Sequence, residues 1–151
     1  MPITYRPLTP ADLPTLAVTS GDWILHTDVL HFEPGCFTLG AFDGGTPAGF
    51  ISVYPRKLSL PGKKEAYIDV IEVDQAYRRR GIARTMLAMS EDWARAQGHR
   101  RIRAWSTVDK TQAIAMWRAL GFRLRPVYSG KPRRKAPNGY YAAKSLRGER
   151  P

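Results

Sequence analysis

The sequence holds a single cysteine, Cys36, which excludes an internal disulfide and any cysteine-based metal cluster. Histidine is scarce as well. His26, His31 and His99 fall at no recognised ligand spacing, so no metal is assigned. No apolar run approaches the roughly 20 residues a membrane helix needs, and the opening MPITYRPLTPADLP lacks a basic-then-apolar signal pattern. These absences predict a cytoplasmic protein. Two familiar phosphate loops are missing too: there is no G-x-x-x-x-G-K-[ST] and no G-x-G-x-x-G. Acidic residues run short after Tyr77. Residues 78–151 carry four Asp and Glu against nineteen Lys and Arg, net +15, whereas residues 1–77 carry nine against five, net −4. Such asymmetry suggests one face made for anions and another tolerant of cations.

What is present describes one globular domain over 1–151. Hydrophobic residues make up 43% and aromatics 11% of 151 residues, enough for a single sizeable core. Alternation predicts a strand over 3–7, and Thr9, Pro10 and Asp12 signal the start of a helix over 11–18. Residues 23–32 fit a short helix loosely. A strand over 37–42, a turn at Asp43-Gly44-Gly45-Thr46 and a strand over 48–54 make a hairpin. A Pro/Gly/Lys loop over 55–64 follows. Strands are then expected over 67–73, 99–107, 122–128 and 140–144, with a basic loop, SGKPRRKAPNG, before the last. A helix is expected over 81–97 with Gly98 just past its end. Asp109 is expected to cap a second helix in which Ala113, Met116, Trp117 and Leu120 share a face. The order is that of a mixed α/β fold with one central sheet.

The most informative stretch is YIDVIEVDQAYRRRGIARTML, residues 67–87. A β-branched strand turns directly into a helix whose Ile82, Met86, Met89 and Trp93 lie on one face. Between them stand Arg78, Arg79, Arg80 and Gly81. Unpaired N–H groups and the helix dipole suit such a turn to a phosphate or pyrophosphate. Gly81, without a Cβ, lets an anion approach the main chain.

The pattern Arg78-x-x-Gly81-x-Ala83 after a strand resembles the acyl-CoA loop, Q/R-x-x-G-x-G/A, of the GNAT N-acetyltransferase superfamily. Residues 113–122, AIAMWRALGF, resemble that family's N-x-x-A-I-x-L-Y-E-K-L-G-F segment, and RPLTPADLPTL resembles its common opening. The resemblance implies a GNAT-type fold: a mostly antiparallel sheet of six to seven strands flanked by helices, with a V-shaped split at the cofactor. It implies acetyl-CoA as cosubstrate, its pyrophosphate on the N–H groups of Arg79, Arg80, Gly81, Ile82, Ala83 and Arg84. The pantetheine arm would pair with the main chain from Ile71 to Val73, as an added strand does. Two positions depart from the family pattern. Lys110 stands for the usual Asn, where a point charge could meet a phosphate, and Trp117 stands for the usual Tyr.

The reaction implied is direct attack of a primary amine on the thioester, which needs a base and a means to settle the thiolate. Glu65, Asp69 and Glu72 are the candidate bases. Glu72 points opposite to Ile71 and Val73, and so into the acceptor cleft if those two face the core. Asp69 would join it if a bulge near Asp69-Val70 resets the alternation. An indole N–H cannot give up its proton at useful pH. Trp117 is therefore read as core, and Tyr128, Tyr140 or Tyr141 as substitute donors, unless none is needed. Asp22, Asp28 and Glu33 near Trp23, His26 and Phe32 predict a cationic amine acceptor, a small molecule or a peptide, with an apolar portion. A monomer or a homodimer is expected. Two rivals stay open: a nucleic-acid-binding module built on the arginine run and KPRRK, and a CoA binder without turnover.

Overall fold

The computed structural model describes residues 2–19, 29–128 and 136–147. Strand β1 (Ile3–Pro7) runs antiparallel to β2 (Phe37–Asp43), which turns through Gly44 into β3 (Thr46–Lys57). Between β1 and β2, a 3-10 turn at Pro10–Asp12 opens helix α1 (Leu13–Thr19), with the Thr9 N–H donating to Asp12 Oδ2 at 2.8 Å. Strand β4 (Lys64–Val73) returns antiparallel to β3 and leads through a second 3-10 turn, Gln75–Tyr77, to helix α2 (Ile82–Ala96). Then come β5 (Arg101–Thr107), α3 (Thr111–Ala119), β6 (Arg123–Val127) and β7 (Gly139–Ser145). The seven strands form one sheet in the order β1-β2-β3-β4-β5-β7-β6. Only β4 and β5 pair in parallel. No helix among the described residues is long and apolar enough to cross a membrane.

The elements fall where the sequence places them, and some of their ends do not. The hairpin is longer than expected, because Pro55 continues β3 opposite Ala66 instead of opening a loop. It lies beyond the last rung with β2, Phe37 opposite Val53. One side of the strand is already an edge there, and an edge tolerates proline. Asp109 does not cap α3. It accepts a short hydrogen bond from Thr107 Oγ1, and Lys110 takes the cap position without a side-chain bond. Of the expected helix over 23–32, residues 23–28 lie outside the described residues and residues 30–32 are not helical, and residues 129–135 of the basic loop also lie outside them.

Periodicity explains most of the core, although Met89, expected on the inward face of α2, is exposed. On one face of the sheet, α2 buries Ile82, Met86, Leu87 and Ala94 against Leu39, Ile51, Val53 and Ile68, and α3 adds Trp117. On the other, Leu8, Leu16, Leu30, Phe42 and Phe50 form a smaller cluster under α1. Cys36 sits half-buried, its Sγ 3.8 Å from Glu33 Oε2; burial, and then the Glu33 charge, push its thiol pKa up. Glu65 is 1% exposed and accepts from Arg56 at 2.8 Å and Arg101 at 2.9 Å, with Arg103 at 3.5 Å.

Two features open the middle of the sheet. β4 and β5 pair over three rungs only, Ala66 to Ile68 with Ile102 to Ala104. Beyond them β4 stays paired with β3 up to Val73 while β5 diverges. At the point of divergence Ser52 pairs with Val70 and Val53 with Ile68, leaving Asp69 as the extra residue of a bulge. A bulge bends its strand and adds twist, which carries the end of β4 away from β5.

Candidate active site in the split sheet

The arginine turn is assembled locally. Past Val73, the Asp74 carboxylate accepts from the Ala76 N–H at 2.9 Å and starts the 3-10 turn. Arg78 Nε reaches back to the Val73 carbonyl at 3.3 Å. The chain reverses through two left-handed residues, Arg79 (φ +66°) and Gly81 (φ +76°), and Gly81 is the N-cap of α2. A non-glycine residue in that region is strained by about 1 kcal/mol or more, so Arg79 holds a conformation that its surroundings impose. No side chain caps the helix, and the Gly81 carbonyl takes both the N–H and the hydroxyl of Thr85 at 3.0 Å. The amides of Ile82, Ala83 and Arg84 have no acceptor within the helix. They open on a cavity of about 330 Å³ lined by Ile71, Val73, Arg78, Arg79, Gly81 and Met116, among others. Arg80 instead lies over the Tyr77 ring, 5.5 Å from its centroid.

A second cavity, about 210 Å³, fills the split itself and shares Ile71 and Ala113 with the first. Together they run along the edge of β4 that β5 has left. Glu72, Asp69 and Lys110 line the split cavity, and Trp117 and Ser106 also border it. Ile71 and Val73 pack against the larger core cluster, so Glu72 faces the opposite way. Burial pushes the Glu72 pKa above the usual carboxylate value, against the pull of the Lys110 and Arg78 charges.

The bulge sets Asp69 in the same cavity as Glu72. There it meets His31 Nε2 at 2.7 Å, and His31 lies against Tyr54 with ring centroids 4.4 Å apart. The loop holding His31 is fixed from the sheet. Its N–H donates to Ser52 Oγ at 2.9 Å, and Thr38 Oγ1 donates to its carbonyl at 2.5 Å. Sequence reasoning missed this pair, because 38 residues separate its members and neither carries a local pattern.

The other expected residues are divided between the split and the rest of the sheet. Glu65 is consumed by its arginines, away from the split. Lys110 stands in the split with Glu72, whereas Gln112 and Ala113 from its helix line the arginine-turn cavity. Trp117 is 2% exposed and donates its indole N–H to Ser106 Oγ at 3.0 Å, in accord with a core role. The three tyrosines considered as donors do not line the split cavity: Tyr140 faces α3, while Tyr128 and Tyr141 border a cavity on the far sheet face. Asp22, Trp23, His26 and Asp28 lie outside the described residues.

An uncharacterized N-acetyltransferase of Methanocaldococcus jannaschii is 30% identical over 109 residues, 72% of this chain; the chain spans 46% of that relative's length. Among solved structures, Arabidopsis thaliana NAA60 in complex with acetyl-CoA superposes with a TM-score of 0.73 at 19% identity, covering 97% of this chain and 100% of that one. The ribosomal-protein-S18-alanine N-acetyltransferase of Escherichia coli superposes with 0.69 at 19% identity, covering 96% and 94%. Both likenesses are likenesses of fold. The family model described as Acetyltransferase (GNAT) matches residues 5–122, the span that runs from β1 through the arginine turn to the end of α3, and the chain belongs to that family.

Proposed function

We propose that the protein transfers the acetyl group of acetyl-CoA to a primary amine, with Glu72 as general base. The observation that carries this reading is the half-buried Glu72 carboxylate in a cavity continuous with an unpaired strand edge and an uncapped helix start. The edge from Ile71 to Val73 suits the amides of a pantetheine arm. The amides from Arg79 to Arg84 suit a pyrophosphate, and Arg78 and Arg79 add charge beside them.

The amine nitrogen bonds to the acetyl carbon, the carbon–sulfur bond breaks, and the amine proton passes to Glu72. A carboxylate with a raised pKa is the better acceptor for that proton. The thiolate leaves beside Lys110, a cation lining the same cavity, so the missing tyrosine donor is met by charge instead of by acid. Asp69 with His31 borders the acceptor side and serves as second carboxylate for a cationic amine. Both a small amine and a peptide amine fit this chemistry.

The test is release of free CoA thiol from acetyl-CoA against a panel of amines and peptides. The Gly81→Glu variant places a carboxylate where the pyrophosphate belongs. A Cβ on Gly81 meets no atom within 4 Å, so the cost to the fold is the left-handed strain alone, about 1–2 kcal/mol. Affinity for acetyl-CoA should fall at least tenfold while the protein stays folded. Unchanged affinity would remove the pyrophosphate site from this turn. Trp117→Phe should lose the bond to Ser106 and about 1–2 kcal/mol of stability, read as a lower Tm, yet keep turnover. Loss of turnover at full acetyl-CoA occupancy would make the indole part of the chemistry.

A further inference from the structure

The rungs of β5, β7 and β6 set Arg103, Ala143 and Arg123 in one row and Trp105, Tyr141 and Arg125 in the next. Directly opposed residues share a face, and this one is turned away from α2 and α3, which pack over Ile102, Ala104 and Ala142. Trp105 is 37% and Tyr128 42% exposed. The rings of Trp105 and Tyr141 lie 4.9 Å apart. Guanidinium groups extend the flat surface: Arg56 sits 4.3 Å over Tyr67 and Arg103 5.2 Å over Tyr141. The charge is one-sided. Arg56, Arg101 and Arg103 share the single Glu65 carboxylate, the buried Arg103 Nε makes no hydrogen bond, and Arg123 and Arg125 meet no acid among the described residues.

Below this platform the charge continues into a groove of about 950 Å³. Lys63, Lys64, Arg100, Arg101, Arg123 and Arg147 line it, and Glu65 is the acid among its lining residues. It lies at the end of the sheet where β4 begins, opposite the arginine turn that follows Val73.

We propose that this platform and groove bind single-stranded nucleic acid, the groove tracking phosphates and the Trp105–Tyr141 face stacking bases. Charge complementarity selects a polyanion. The aromatic face selects nucleic acid over an acidic polypeptide: bases stack on rings and on guanidinium planes, whereas carboxylates engage the N–H fork of arginine at its edge. The helix-start cavity shares no lining residue with the groove or with the Tyr141 face, so a small phosphorylated ligand and a strand are held at once, and Trp105 is the platform residue that also lines the split cavity.

The experiment is fluorescence anisotropy of a labelled 20-nucleotide oligo-dT or oligo-U with the full chain, at saturating acetyl-CoA, from 50 to 200 mM NaCl. Binding should persist with acetyl-CoA present and weaken steeply with salt. The triple variant Arg123→Ser, Arg125→Ser, Arg147→Ser should lower the slope of log K against log salt by about 2, at about 0.7 for each single-strand phosphate that is no longer neutralised. Trp105→Ala should weaken binding about 5- to 100-fold. Trp105→Phe should keep the affinity but abolish the quenching of indole fluorescence that accompanies binding. No binding at 50 mM salt would overturn the proposal. So would displacement by acetyl-CoA, duplex binding as tight as single strand, or equal binding of poly-glutamate that Trp105→Ala leaves untouched.

Discussion

Glu72→Gln should lower kcat by about 10²- to 10⁴-fold, the range that a positioned base contributes, with little change in affinity for acetyl-CoA. The pH profile separates this from a structural defect. Burial raises the Glu72 pKa, and a base at this position would work only as the carboxylate. The rate of the native enzyme should therefore climb with pH through that raised value and level off above it. In the glutamine variant the climb disappears and a low, flat rate remains. Stability moves in the opposite sense. A carboxyl group whose pKa is raised on folding favours the folded state at low pH and loses that contribution as pH rises through the folded value. Above it Glu72→Gln should be at least as stable as the native chain. A variant that lost both Tm and turnover at pH 8 would contradict the assignment, because the carboxylate would then be holding the sheet together.

Glu65→Ala should produce the largest loss of stability, about 3 kcal/mol or more, the usual cost of leaving buried charges without their partner. For a chain of this length that is roughly a 10 °C fall in Tm. Three arginines on β3 and β5 converge on this one acid. Removing it leaves Arg103 at 17% side-chain exposure with no counter-charge. The effect should shrink in high salt, where anions reach Arg56 and Arg101. The double variant Glu65→Leu, Arg103→Met should recover part of the loss, since an apolar pair of similar volume often replaces a buried ion pair at no cost. A Tm within about 2 °C of the native value for Glu65→Ala would show that the arginines rehydrate freely.

These two carboxylates mark what is legible in the chain and what is not. Glu72 is found by alternation: Ile71 and Val73 face the core, so the residue between them must face away, and the structure agrees. The arginine turn is legible because it is local, a strand, a glycine and a helix in sequence. The bulge at Asp69 is reached as a condition, and the pairing meets it. Glu65 cannot be read in the same way. It sits among Lys63 and Lys64 like any solvated strand-end acid, and its burial depends on Arg101 and Arg103, far along the chain. The Asp69–His31 contact is hidden for the same reason. Pro55 misleads because proline usually breaks a strand, and only the sheet order shows that the neighbouring strand has already ended. Asp109 misleads because Thr107, two residues back, competes for its carboxylate.

Cys36 bears on how turnover is read. Assays of CoA release count sulfhydryl groups with a colour-forming disulfide, which reacts with thiolate. The chain offers that reagent one thiol, and partial burial, then the neighbouring glutamate, push its pKa up and disfavour the thiolate. The blank is therefore capped at one equivalent per protein and develops slowly, so even a few catalytic cycles on a poor amine stand clear of it.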